Sequence, residues 1–245
     1  MRAEVTARPD ASRAHLVGRL QLIEARVRAA VARRRAADSE PDDRFRGLYI
    51  SHSQVDNLLA RSQSLMHADP DAERVLADVE DAADQAEANG HDLRLRRLMR
   101  SFQLTELDVE LLLIALAPDL DPRFERLYGY LQDDVSRRRA SIGLGLELCG
   151  AGLSSAEARS RLGPGGPLVD GCLVLVEETD RPLLTRSLRV PDRVTAHLLG
   201  DDRADPTVAA LSYECQPLHT GRSDPLRRAL HFHPRWGEHP LHLHR

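Results

Sequence analysis

The sequence predicts a mainly α-helical fold with a small β-hairpin near its C-terminal end, on three observations. Aromatic residues make up only 4% of the 245-residue chain, so its core has to be built from Leu, Val and Ala, as in helical bundles. Apolar positions recur at three- and four-residue spacing between capping signals from Leu16 to about Gly163. Between Cys172 and Val190 the period changes to that of strands.

The first element begins at Leu16, where Leu20, Ile23, Val27 and Ala30 form the seam of a helix closed by Arg33-Arg34-Arg35. Two heptads bury too little to stand alone, so the stretch Leu16 to Val31 has to pack on its own chain or offer a helix-pairing surface to another protein. Asp38 to Asp43 then reads as a linker. Ser51 and Gln54 form a capping box before the stripe Val55, Leu58, Leu59 and Leu65. Asp69-Pro70 fits an N-cap and first helical position for a second helix carrying Val75, Leu76, Val79, Ala82, Ala83 and Ala86 up to Asn89-Gly90. The pair is an acidic helical hairpin.

From Asp92 a denser unit follows. Leu95, Leu98, Met99 and Phe102 share a face, and the capping signal Thr105 to Asp108 opens a helix from Leu107 to Leu116 that is apolar all round and therefore central. Pro118 is expected to stop it before Asp121-Pro122 starts a third helix with Phe124, Leu127, Tyr128 and Leu131. Ser141 to Cys149 suits a strand or a helix equally. Ser154 to Glu157 is a capping box for a short helix ending at Gly163, and Pro164-Gly165-Gly166-Pro167 is a turn. Cys172 to Glu177 and Leu183 to Val190 form a hairpin, and Pro191 starts a last helix, with Val194, Leu198 and Leu199, that ends at Gly200. Helices followed by a two-stranded ribbon give a winged-helix-like domain with a small β-hairpin wing. The expected organisation is a helix and linker at 1–46, a helical hairpin at 47–90, a winged-helix-like domain at 91–200 and a disordered Pro/His/Arg-rich tail at 201–245.

Composition removes several functions. All 34 basic residues are Arg, which excludes the lysine of a phosphate-binding loop, a Schiff base or a kinase β3 strand, although a GC-rich genome favours Arg over Lys in any case. Cys149, Cys172 and Cys215 are too scattered for a disulfide framework or a paired-cysteine metal site. With no apolar run of about 18 residues and no signal-peptide core, a cytoplasmic location and no membrane contact are expected. The net charge of −4 conceals nine Arg among residues 1–35 and nine carboxylates at 69–92. Such runs are ordinarily solvated helix faces, with an acidic surface or nucleic acid as the alternative for the basic one.

Phe45-Arg46-Gly47-Leu48-Tyr49-Ile50-Ser51, Leu111 to Tyr128 with its Leu116-Ala117-Pro118-Asp119-Leu120-Asp121-Pro122-Arg123-Phe124 centre, and Tyr130-Leu131-Gln132-Asp133-Asp134-Val135-Ser136-Arg137-Arg138-Arg139 carry a resemblance. Over about residues 16–210 the chain resembles the winged-helix-containing region that precedes the motor in a bacterial family of AAA-type ATPases, some encoded beside contractile phage-tail-like injection systems. The resemblance implies a recognition or regulatory region whose partner is an ATPase ring or an injection-system component, with nucleotide chemistry left to a downstream domain. Helix-forming residues are typical of that family where Gly143 and Gly145 stand here, which puts that helix in question. After Tyr213 the resemblance fades, as in a frameshifted gene or a natural short product.

No catalytic, cofactor-binding or metal-binding residue emerges. His219, His231, His233, His239, His242 and His244 lack acidic or Cys partners at ligand spacing, so an incidental His-rich tail is the reading. Gly163-Pro164-Gly165-Gly166 is a turn, not a phosphate cradle, because the residues after it read as a strand. No nucleophile elbow appears. The candidate interaction residues are Arg137, Arg138 and Arg139, beside Asp133 and Asp134 at a helix end, and Arg159 and Arg161 on the candidate recognition helix. With only Glu157 against the last two, that helix is weakly basic, so protein recognition is expected, nucleic acid is the less favoured partner, and no cofactor is expected.

Overall fold

The computed structural model describes residues 10–37 and 70–203. The boundary near residue 46, the capped segment from Ser51, and the tail from residue 204 lie outside the described residues.

The first helix, α1, spans Ala11–Ala36 and starts five residues before the apolar seam does. Asp10 accounts for the early start, because its carboxylate accepts the Ser12 amide at 3.0 Å and so satisfies one of the free donors of the first turn. The buried face includes Leu16, Ile23 and Val27 of the expected seam, and adds Ser12, His15, Arg19 and Leu22. That face is turned to the chain's own body, against α2 (Pro70–Ala88), α3 (Arg94–Phe102), α4 (Glu106–Leu120), α5 (Arg123–Leu131) and α6 (Ile142–Leu148). The seam therefore belongs to the core and is not a surface for an outside helix.

The central helix is α4. Val109 and every residue from Leu111 to Ala117 are at most 1% exposed, so this helix is apolar all round and covered on every side. Thr105 and Asp108 close the expected capping box. Pro118 does not end the helix, which runs on to Leu120. A proline there removes the hydrogen bond to the carbonyl four residues back. That carbonyl, Ile114 O, instead accepts the hydroxyl of Tyr128 at 2.9 Å from the fully buried side chain on α5. The tertiary bond replaces the lost helical one, and the turn survives.

The ambiguous stretch after Ser141 is a helix. Ser141 caps it by accepting the Leu144 amide at 3.2 Å. The glycines that put the helix in question are where neighbours crowd it: a Cβ on Gly143 would lie 2.9 Å from Leu184 O, and one on Gly145 would lie 3.2 Å from Leu111 Cδ2. Their cost in helix propensity is offset by packing that larger residues would block.

The cap of α7 (Ala156–Ser160) is Ser155, one residue later than expected, with its hydroxyl accepting the Ala158 amide. After the Gly-rich turn comes no strand but a one-turn helix, α8 (Pro167–Asp170). The hairpin is correspondingly short. Leu173 and Val174 turn their amides back onto Leu168 O, which leaves β1 as Leu175–Val176 paired antiparallel with β2, Leu188–Arg189. Leu183–Thr185 forms a 3-10 turn on α6 in place of strand. An isolated bridge between Ser141 and Ser187, with Leu188 N donating to Ala140 O at 2.8 Å, adds a third extended segment beside β2. The last helix, α9 (Asp192–Leu198), ends before Gly200 at φ +104°, as the sequence indicates, and packs on α3.

Candidate interaction site

In chain order, α5, the extended Ala140–Ser141, α6, α7 with α8, β1, the loop 178–187 and β2 form three helical segments and a minimal sheet carrying one wing. A model of the family described as winged helix domain, variant, matches residues 10–212. The chain belongs to this winged-helix family. No curated protein and no solved structure matches it. The family match begins at α1, in keeping with that helix sharing one apolar cluster with the winged-helix elements.

In a winged-helix domain the helix before the wing is the usual recognition element. The helix that the sequence marks for this role is α7, five residues long, with the one-turn α8 between it and the wing; Arg159 lies within α7 and Arg161 caps its C-terminal end, and both guanidiniums bond back onto the chain. The Arg161 guanidinium forms a fork on the Asp108 carboxylate, with Nε 2.8 Å from Oδ1 and Nη2 on Oδ2. Asp108 is wholly buried and also accepts from the amide and hydroxyl of Thr105. Burial opposes its ionisation, but the bonds from Arg161 and Thr105 outweigh this and hold the carboxyl below its usual range. Arg159 Nε donates to Leu153 O at 2.6 Å, tying α7 to the loop before it.

The Arg137 to Arg139 run is divided among separate partners, Arg137 also lying 3.4 Å from Asp134. Arg139 is bidentate to Asp119 at 2.8 and 3.1 Å, Arg137 donates to Thr185 O in the wing at 2.7 Å, and Arg138, 74% exposed, lies 3.8 Å from Glu125. Asp133 pairs with Arg34 of α1 at 2.9 Å, while Asp134 accepts the amide and hydroxyl of Ser136. This carboxyl sits below its usual range chiefly through the Ser136 bonds. The two aspartates thus face different partners and do not form an acid/base pair. Arg137 to Arg139 and the α7 arginines form no common cluster; of the five, Arg138 is the most exposed.

The Gly-rich turn owes its shape to packing. A Cβ on Gly166 would lie 2.5 Å from Arg161 O, and the Gly165 amide donates to Asp170 of α8 at 2.9 Å. The turn's own carboxylate occupies the place an anion would take.

Two polar clusters have no counterpart in the sequence reading. In the first, His15, Arg19 and Arg96 converge on Glu80 of α2: His15 Nε2 lies 2.9 Å away, Arg96 Nη2 2.6 Å and Arg19 Nη1 3.3 Å. Burial works against the Glu80 charge, yet the bonds from His15 and Arg96 leave its carboxyl below the usual range. In the second, His197 Nδ1 and Arg94 Nη1 each lie 2.6 Å from Asp202, joining α9 to α3. The only sequence signal for the first was the i, i+4 spacing of His15 and Arg19 on the apolar face of α1. Among the described residues no group of three or more His, Cys, Asp or Glu is placed to hold a metal ion, and no helix is long and apolar enough to cross a membrane.

Proposed function

We propose that the chain is a non-catalytic recognition or regulatory region that works through protein contacts, its winged-helix elements serving as the docking body. The observation that carries this reading is the inward use of the α7 arginines. Non-specific DNA affinity requires several phosphate contacts from free cations, whereas Arg161 is committed to buried Asp108 and Arg159 to Leu153 O. A five-residue helix also presents little more than one turn to a major groove about 12 Å wide.

The resemblance to the region preceding an AAA-type motor gives the proposal its setting: an ATPase ring or an injection-system component is the partner, and the absence of any Lys supports nucleotide chemistry residing elsewhere. The competing reading is a winged-helix DNA-binding module using Arg138 and the wing arginines Arg181 and Arg186. Titration with random-sequence duplex at about 50 and 200 mM salt separates the two. Protein recognition expects no micromolar affinity at either salt; salt-sensitive micromolar binding that Arg138→Ala and Arg186→Ala weaken would establish the DNA reading instead.

A further inference from the structure

The turn after α5 crosses back over the helix and holds a valine out into solvent. Val135 is 88% exposed, yet its Cα lies only 3.6 Å from where a Cβ on Gly129 would be. Glu125 and Arg126 stand one turn before Gly129 on the same side of α5. Arg138 reaches that side too, 3.8 Å from Glu125 and 74% exposed. Arg126 is exposed and has no ion-pair partner among the described residues.

Single exposed apolar residues are ordinary on a protein surface. Val135 differs in how firmly the chain holds it out. The Asp134 amide donates to Gly129 O at 3.0 Å, and Asp134 Oδ1 accepts the Ser136 amide and hydroxyl at 2.9 and 2.6 Å. Gln132 ties the two ends of the turn together, donating to Arg139 O at 2.9 Å and accepting the Ser141 amide at 3.0 Å. A turn bonded in this way cannot fold Val135 inward, so the valine is presented at no further ordering cost on contact. The same bonds engage the turn's own carboxylates, Asp133 with Arg34 and Asp134 with Ser136 and Arg137, which leaves Glu125 as the one acid beside Arg126 and Arg138.

We propose that this surface docks an acidic amphipathic helix of a partner protein, whose apolar face receives Val135 and whose Glu or Asp residues meet Arg126 and Arg138. The site rests on the protein-contact reading above and supplies its surface, using neither α7 nor the wing. A fixed β-branched side chain standing clear of its surroundings is a knob, and the surface of an α-helix offers the matching hole between four side chains. Charge complementarity selects carboxylates around that hole, and arginine beside an apolar anchor is a composition that protein interfaces favour. Duplex DNA fits less well. Its phosphates make no use of Val135, and two arginines give few of the contacts that phosphate binding needs.

The test uses the full chain and a synthetic helical peptide of about 18 residues, with a Leu stripe that forms the hole and Glu on both sides of it. A neutral twin carries Gln in place of Glu. At about 50 mM salt, fluorescence anisotropy is expected to show the Glu peptide binding about tenfold tighter than its twin, and weakening about tenfold against Arg126→Glu or Arg138→Glu. Val135→Ser should weaken both peptides several-fold, whereas Arg13→Glu, at an exposed position near the start of α1, should change neither. All four positions are exposed, and urea midpoints close to that of the parent chain check that each variant is folded. No binding, equal binding of the twins, indifference to Val135→Ser, or an Arg13→Glu effect as large as that of Arg126→Glu would overturn the proposal. Random-sequence duplex, titrated in parallel, separates its failure from that of the protein-contact reading. If neither peptide nor duplex binds, this surface alone is wrong; micromolar duplex affinity that Arg126→Glu and Arg138→Glu abolish would overturn both.

Discussion

α1 and α4 run through the same core but are held there by different physics. α4 is covered on all sides by apolar neighbours, and Asp108, its one fully buried charge, sits at its capped first turn. α1 buries Ser12, His15 and Arg19 on the same face as Leu16 and Ile23, so part of its packing depends on named polar partners. Ser12 Oγ accepts the Arg94 amide that opens α3, at 3.0 Å, and Arg19 reaches both Glu80 and Glu106. Burial of apolar area is non-directional and tolerates small shifts, whereas a buried charge depends on one geometry. The difference predicts that α4 sets the stability of the fold and α1 sets how the α2 and α3 layer sits upon it.

The sharpest way to break this contrast is truncation in the two helices. Leu112→Ala, at a position with no exposure, should cost about 4 kcal/mol through lost transfer energy and a cavity, while Leu20→Ala on α1, half-buried, should cost about 1 kcal/mol. Urea denaturation measures both. Equal losses would mean that α1 is as central as α4.

Next in size is Arg161→Ala. It leaves Asp108 charged and wholly buried with only Thr105 as partner, so a loss of about 3 kcal/mol is expected. Asp108→Asn in the same background should recover part of that loss, since it removes the stranded charge. Two variants of equal stability would show that Asp108 is already neutral in the folded protein.

These two regions also differ in how far they could be read from the sequence. The helix after Thr105 was legible because its cap and its apolar run are both local, and Pro70 and Gly200 marked helix ends for the same reason. The polar half of the α1 face was not. Glu80 lies 65 residues from His15 and 61 from Arg19, and nothing within α1 points to it. The continuation of α4 past Pro118 depends on a hydroxyl brought from α5, and the helix after Ser141 on which residues crowd its two glycines. The candidate arginines were legible as charges, but that Arg161 faces inward follows from the position of Asp108, 53 residues away.

A smaller effect tests the repaired turn of α4. Tyr128→Phe removes the donor to Ile114 O, leaving a buried carbonyl unpaired at a cost of about 1.5 kcal/mol. Pro118→Ala supplies the amide that this carbonyl lacks, so the same tyrosine change should cost less in that background. A double-mutant cycle reads the coupling directly, and strict additivity would show that the hydroxyl and the proline are independent.

The smallest expected effect is a pH dependence at the junction of α9 and α3. His197 is buried, and burial pushes its pKa below the ordinary histidine value. The contact with Asp202 favours the charged form and the nearby Arg97 and Arg94 oppose it, but the net direction is down. The unfolded chain therefore takes up a proton near pH 6.5 that the folded chain accepts only at lower pH. Stability from this group is complete above about pH 6.5 and declines as the pH falls through that value toward the folded pKa. Asp202 acts in the same direction but in a separate window: Arg94 holds its carboxyl at about 2, so its contribution is lost only below about pH 4. The urea midpoint should thus fall between pH 7.5 and 5.5, and His197→Gln should flatten that slope while leaving the decline below pH 4 in place. A midpoint that rises on acidification, or a slope unchanged in the variant, would show that His197 is charged when folded and that the junction is held as an ion pair.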